Sequence, residues 1–367
     1  MKIALINLGR TGAGPVYALE MAKALSQKAD VFSVISSQAE NIEQWRASGL
    51  VIFEVDTYKN FKEFIVVTLR LKSLLAIYVA LKKFGPDVIY TPMIHLWTAF
   101  IGFLTLGIPK ILTIHDPAQH DGEQNVFIDF LREVSIRQST QIVLLSEFFR
   151  PALIKKGFPA GRITILPLGK FSYYQTLSAE EVENSYDNPT ILFFGRIYEY
   201  KGLDTLLKAF PVIRQSVPNA QLVIAGYGDL KTYQELLQGQ SGIIMENRWI
   251  ADDEVATYFN NASLVVLPYK ESTQSGVIPT AYAFKLPVVA TRTGGVQEQV
   301  LDHQTGLLVE PNSPQQLAEA CVSLLLDTEL AMSMGNRGYR LATEAWSWET
   351  AADKLIEACL MCQKNMD

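Results

Sequence analysis

Short runs of β-branched and aromatic residues alternate with longer helical patterns along almost the whole chain, and this alternation narrows the fold more than any other feature. A strand that follows a strand through a helix and rejoins the same sheet runs parallel to it, so repeated units of this kind build parallel sheets. The first series reads as strands at Lys2-Leu8, Val31-Ser36, Val51-Val55, Asp87-Tyr90, Lys110-His115, Gln141-Ser146 and Ile163-Pro167. The pattern stops near Gly169, and the polar stretch from Lys170 to Pro189 reads as a linker. A second series follows at Thr190-Gly195, Gln221-Ala225, Gly242-Met245, Ser263-Pro268, Pro287-Thr291 and Thr305-Val309, and the end of the chain is helical. With 367 residues, more than one core usually organises, the expected class is α/β with two Rossmann-like parallel-sheet halves. Ligands of such halves gather at the carboxyl ends of the strands, across the crevice between them.

Apolar residues at 49% and charged residues at 19% suit two large cores and exclude a disordered chain. A net charge of −6 argues against a general nucleic-acid binder, which holds phosphate backbones with clustered Lys and Arg. The opening apolar run is stopped by Asn7 and Gly9 and reads as a strand rather than a secretion signal, so the cytoplasm is the expected compartment. Cys359 and Cys362 form a CxxC inside a predicted terminal helix, with no second Cys or His pair nearby, and read as apolar helix positions. Ile94 to Ile108 is too short to cross a membrane and reads as a buried helix. From Phe61 to Phe84, Lys62, Arg70, Lys72, Lys82 and Lys83 punctuate a strongly apolar helical segment. It fits a core-packed helix with a solvated basic face, or a helix in peripheral contact with the inner face of an anionic membrane.

The strand-to-helix loops are where chemistry is expected. Gly9-Arg10-Thr11-Gly12-Ala13-Gly14 opens a helix after the first strand and reads either as an anion-binding loop or as a tight packing turn. Its spacing is not the dinucleotide GxGxxG, and Ser36-Ser37 stands where that motif needs an acidic residue. After Phe193-Phe194-Gly195, Arg196 and Lys201 lie five apart at a strand exit. An Arg fork and a Lys point charge together suit one diphosphate, although exposed cations are also ordinary surface. Gly226 and Gly228 allow close approach to backbone, Ser275-Gly276-Val277 begins a helix, and Gly294-Gly295 with Glu298 repeats the design after the next strand. Four such loops beside two cations point to a nucleotide diphosphate.

Gly195-Arg196 to Lys201-Gly202, Ala225-Gly226-Tyr227-Gly228, Asn247-Arg248-Trp249-Ile250, Leu267-Pro268-Tyr269, Gly276 to Pro287-Val288-Val289, Gly294-Gly295-x-x-Glu298 and Thr305-Gly306-Leu307-Leu308-Val309 resemble family 4 of the retaining glycosyltransferases. In the first half the resemblance rests on Gly12-Gly14 and on His115-Asp116-Pro117 with His120 and Glu123. It implies a GT-B fold whose residues 1–170 bind the acceptor and 171–347 the nucleotide-sugar donor, with a helix at 348–367 crossing back to the first half. It implies donor contacts from Gly12, Gly14, Gly195, Arg196, Lys201, Gly226, Gly228, Trp249, Ile250, Ser275, Gly276, Val277, Thr280 and Glu298. Asp116, His120 and Glu123 would meet a sugar, glycan or lipid-linked acceptor, and His115 would stand near the donor sugar. The family transfers sugar with retention and needs no metal or other cofactor. Consistently, the second half has no Asp-x-Asp after a strand.

The family's Glu-x7-Glu pair is missing in register, where Ser272 and Thr280 stand instead. Glu271, one residue off, is the candidate for the first carboxylate, and Glu298 is another source of charge. The catalytic set is then His115, Glu271, Arg196 and Lys201. Two alternatives stay open: a GT-B nucleotide-sugar epimerase, and a nucleotide-sugar-binding protein without turnover.

Overall fold

The structure is a computed structural model that describes residues 1–69, 71–115, 126–177 and 188–364. It divides into two compact units, Met1–Pro167 with Trp348–Asp367, and Leu168–Ser347.

In the first unit, β1 (Lys2–Asn7), β2 (Asp30–Ser36), β3 (Val51–Val55), β4 (Val88–Thr91), β5 (Lys110–Ile114), β6 (Gln141–Leu144) and β7 (Ile163–Ile165) form a parallel sheet in the order β3-β2-β1-β4-β5-β6-β7. Ile3, Ala4, Leu5 and Ile6 are all buried, because helices cover both faces and a central strand then needs no polar side. The helix Ala13–Ser26 starts behind Gly12, whose φ of 78° a side chain would oppose. Against it packs the final helix, Trp348–Lys364, which therefore belongs to the first unit. Cys359 and Cys362 are buried in that helix, and burial pushes their thiols up to about 12 and about 11, so neither is poised as a nucleophile.

The second unit holds β8 (Thr190–Phe194), β9 (Gln221–Ala225), β10 (Ile243–Glu246), β11 (Leu264–Leu267), β12 (Val288–Thr291) and β13 (Gly306–Val309), parallel in the order β10-β9-β8-β11-β12-β13. Its helix Leu203–Ser216 presents Leu203, Leu206, Leu207, Phe210 and Ile213, spaced by three and four, to Ile191, Phe193, Leu222 and Ile224. Fully burying each such side chain contributes about 1.5 to 3 kcal/mol. In each sheet the strand order reverses direction beside its first strand, between β1 and β4 and between β8 and β11. The loops leaving those strands part to either side and leave room for a ligand.

Three expectations need correction. The segment after Lys170 is not a linker at its start: Phe171, Tyr173 and Tyr174 are buried in the second unit, with a short helix at Tyr173–Leu177. Its aromatic anchors were too few to show a period. Phe61 to Phe84 is two helices, Phe61–Leu69 and Lys72–Phe84, bent by 58°. Only Thr98–Leu104 of the Ile94–Ile108 stretch is helical, and Phe103 and Leu106 are exposed, so apolar composition there does not mean burial.

Candidate functional site

The second unit gathers most of the expected donor residues, and hydrogen bonds between loops set their positions. Gly195 N–H donates to Ala225 O (2.9 Å), Ile197 N–H to Tyr227 O (2.8 Å) and Lys270 N–H to Tyr200 O (2.7 Å). Asn247 clamps Gly228 from both sides, accepting from its N–H (3.0 Å) and donating to its carbonyl (3.1 Å). The glycines serve this knitting. A Cβ on Gly226 would lie 1.9 Å from Gly195 O, one on Gly228 2.2 Å from Ile197 O, and one on Gly202 1.9 Å from Pro268 O. Gly226 and Gly228 thus let one loop approach another, a packing reason for glycine beside the expected one.

Arg196 projects into solvent with its guanidinium 5.1 Å from the centre of the Tyr198 ring. Lys201 Nζ lies 3.8 Å over the ring of Tyr269 and 5.3 Å from that of Tyr200. Neither cation has an ion-pair partner among the described residues. Lys270 nearby is different: its ammonium sits 3.1 Å from Asp204 Oδ1. Arg248 likewise is held by Glu254 (2.6 Å) and Glu246 (3.3 Å). Of these four cations, Arg196 and Lys201 are the two held on aromatic faces rather than on carboxylates.

Tyr269 is itself tied down. It is buried, its hydroxyl lies 3.2 Å from Ser275 Oγ, and its carbonyl accepts from Thr291 Oγ1 (2.5 Å). Gln299 brackets Ser275, accepting from its N–H (2.7 Å) and donating to its carbonyl (3.0 Å). Ser275 N–H is therefore spent internally, and Val277 N–H points to Ser275 Oγ (3.3 Å), so the expected anion-binding helix start is largely occupied by its own side chains. Thr280 is buried and donates its hydroxyl to Gly276 O (2.8 Å), so toward a ribose it offers only the acceptor side of its oxygen. Glu271 and Glu298 are exposed, Ile250 is buried, and Trp249 is exposed beside it. Tyr198 and Gln299 were not singled out from sequence, and Tyr269 only as the end of Leu267-Pro268-Tyr269. The tyrosines flanking Arg196 and Lys201 were the available signal, whereas nothing local relates Tyr269 to a lysine 68 positions earlier.

Tyr269→Phe keeps the ring under Lys201 and is expected to hold nucleotide affinity within about 2-fold, whereas Tyr269→Leu removes the quadrupole and lowers it by about 10-fold. Calorimetric titration of both variants with UDP and GDP checks this.

In the first unit, His115 follows β5. Its Nε2 lies 2.8 Å from Pro92 O, and since a carbonyl only accepts, Nε2 carries a proton and donates it there. Tyr17 meets His115 edge-to-face with ring centres 5.0 Å apart, and Trp348 of the final helix meets Tyr17 at 5.2 Å. The Tyr17 hydroxyl continues to Tyr90 (3.1 Å) and from there to Thr113 (2.9 Å). A hollow of about 320 Å³ adjoins His115, lined also by Tyr58, Met93, His95 and Arg132. In the glycine loop, Gly12 N–H donates to Glu40 (3.1 Å), so a carboxylate already occupies the place expected for an anion. A Cβ on Gly14 would lie 2.8 Å from Met93 Cε, a packing reason for that glycine. Asp116, His120 and Glu123 lie outside the described residues. Among the described residues no group of three or more His, Cys, Asp or Glu side chains could hold a metal ion.

Residues 14–169 match Glycosyltransferase Family 4, and residues 188–327 match Glycosyl transferases group 1. Over their lengths the chain is similar in fold to sucrose-phosphate synthase from Thermosynechococcus elongatus (TM-score 0.74, 20% identity, 99% of each chain). It is equally similar to Anabaena Alr3699/HepE in complex with UDP-glucose (TM-score 0.75, 16% identity, 98% of this chain and all of that one). In fold the chain is of the GT-B type, and each of its two units matches a glycosyltransferase family model. Among sequence relatives, the GDP-mannose-dependent alpha-(1-6)-phosphatidylinositol monomannoside mannosyltransferase of Mycobacterium tuberculosis is 33% identical over 181 residues. That match spans about half of either protein, 47% of each.

Proposed function

We propose that this protein is a retaining glycosyltransferase that moves a sugar from a UDP- or GDP-linked donor, held by the second unit, to a glycan, lipid-linked or small-molecule acceptor bound by the first. The observation that carries the reading is the pair Arg196 and Lys201, two cations at the exit of β8 held on tyrosine rings and left without carboxylate partners among the described residues. A cation resting on a ring gives up little when a diphosphate arrives, because the ring can stay in place while the charge turns to its ligand. As the bond from sugar to phosphate breaks, negative charge grows on the departing diphosphate, and each preorganised donor aimed at it contributes on the order of 3 kcal/mol. In this reading the departing phosphate oxygen takes the acceptor's proton on the same face of the sugar, which gives retention without a protein nucleophile or a metal. With the Thr280 hydroxyl proton spent on its own helix, recognition of the ribose and donor sugar falls to Glu271 and Glu298.

His115 is the first unit's contribution to the reaction, and the hollow beside it takes the acceptor, in the cytoplasm or at the inner face of the membrane. A GDP-mannose-dependent relative and a structural neighbour that binds UDP-glucose support the choice of donor classes. Incubation with labelled UDP- and GDP-sugars and a panel of acceptors, in the presence of a chelator, is the test. The expected result is a product whose anomeric configuration matches the donor's. An epimerised donor, or saturable binding with no product from any acceptor, would overturn the assignment.

A further inference from the structure

We infer that the outward face of the helix Lys72–Phe84, with the helix Phe61–Leu69 before it, docks the first unit on an anionic lipid bilayer. Leu74, Ile77 and Leu81 turn into the core, which fixes how the second helix is rotated. At about 100° per residue, Lys72, Leu75, Ala76, Val79, Lys82 and Lys83 then share an outward arc of roughly 120°. All six are exposed, Val79 at 63%, as is Leu71 just before the helix. The preceding helix adds Ile65, Val66 and Leu69, the last at 76%, and the helix Thr98–Leu104, packed against Lys72–Phe84, adds Phe103. So many large apolar side chains on neighbouring helices are not ordinary surface.

The charges say what covers them. From residue 61 to 84 the sequence has five basic residues and one acidic, a net +4 inside a chain of net charge −6. Protein interfaces are depleted in lysine toward their cores, whereas here lysines alternate with leucine and valine on one arc. That alternation suits a bilayer interface, where apolar tips enter the acyl boundary and lysine stems reach back to lipid phosphates. A chain that is acidic elsewhere is repelled by the same surface, so this face is selected. No single described helix is long and apolar enough to cross a membrane; the two helices reach that length only as a pair bent by 58°, and with Leu74, Ile77 and Leu81 packed in the core the second lies along the surface.

The test is co-sedimentation of the whole protein with vesicles of phosphatidylcholine alone and of phosphatidylcholine mixed with phosphatidylglycerol. Binding is expected to the mixed vesicles only and to fall with added salt. The triple change Lys72→Gln, Lys82→Gln, Lys83→Gln is expected to weaken it on the order of 100-fold. The double change Leu75→Ser, Val79→Ser is expected to weaken it by at least 10-fold. Both variants alter exposed residues and should keep the parent unfolding temperature and UDP or GDP affinity, which separates failure here from failure of the donor assignment. Absence of binding to mixed vesicles, equal binding by both variants, or a dimer in light scattering that the Leu75→Ser, Val79→Ser variant dissolves would each overturn the inference.

Discussion

Arg196→Ala is expected to lower kcat/KM for sugar transfer by at least about 100-fold, while the unfolding temperature without ligand stays where it was. The two halves of this expectation have separate causes. Arg196 is exposed with its guanidinium on the face of Tyr198, a contact contributing about 0.5 to 1 kcal/mol at a wet surface, so the fold loses little. Toward a diphosphate the same side chain offers two parallel N–H donors, and no neighbour replaces them, because Lys270 is engaged by Asp204 and Arg248 by Glu254. Arg196→Lys separates charge from geometry. It keeps the cation and loses the fork, and should recover part of the rate without restoring it. If kcat falls with donor affinity unchanged, the contact forms only as the leaving group departs. If affinity and rate fall together, it holds the ground state as well. Single-turnover rates with titration of the donor distinguish the two, and an unchanged kcat/KM in Arg196→Ala would remove the foundation of the proposed function.

The alternation of strands and helices was legible because buried parallel strands need apolar residues on both faces, a constraint that acts locally. β3 and β9 fall on their expected residues, and the other strands shift by one or two positions, where ladders fray into loops. Arg196 and Lys201 were legible for a related reason: a strand exit followed by glycine and a helix is a local pattern. What held those cations was not legible. Tyr269 reaches Lys201 only because β11 lies beside β8, and Gln299 reaches Ser275 only through the loop after β12. Such contacts depend on sheet order, which no window of sequence contains. The close approach of the neighbouring loop to Gly226 and Gly228 is likewise a product of sheet order. The exposed apolar arc on Lys72–Phe84 was half visible, since its lysines were plain in the sequence, but its two apolar faces had to be separated by the burial of Leu74, Ile77 and Leu81.

Gly226→Ala is expected to destabilise the second unit by about 2 to 4 kcal/mol, lowering its unfolding temperature by roughly 5 to 15 °C. Two penalties combine. The φ of 151° lies where L side chains are rarely found, and the new methyl would sit 1.9 Å from the carbonyl oxygen of Gly195 and 2.6 Å from its carbon. Both are main-chain atoms held by Gly195 N–H to Ala225 O, so no rotamer change relieves the contact. Gly239→Ala is the control for strain alone: its φ is 74° and nothing lies within 4 Å of the added Cβ, so a cost near 1 kcal/mol is expected. The clash also has a direction. Relief must push the β8 exit away from β9, and Arg196 follows Gly195 immediately, so the cation moves off its tyrosine. Nucleotide affinity should therefore drop in Gly226→Ala at temperatures where the protein is still folded, and stay unchanged in Gly239→Ala. Calorimetric unfolding and nucleotide titration of both variants at one low temperature measure the two effects separately. Equal affinity in Gly226→Ala would mean that the knitting of the loops holds the fold without setting the position of Arg196.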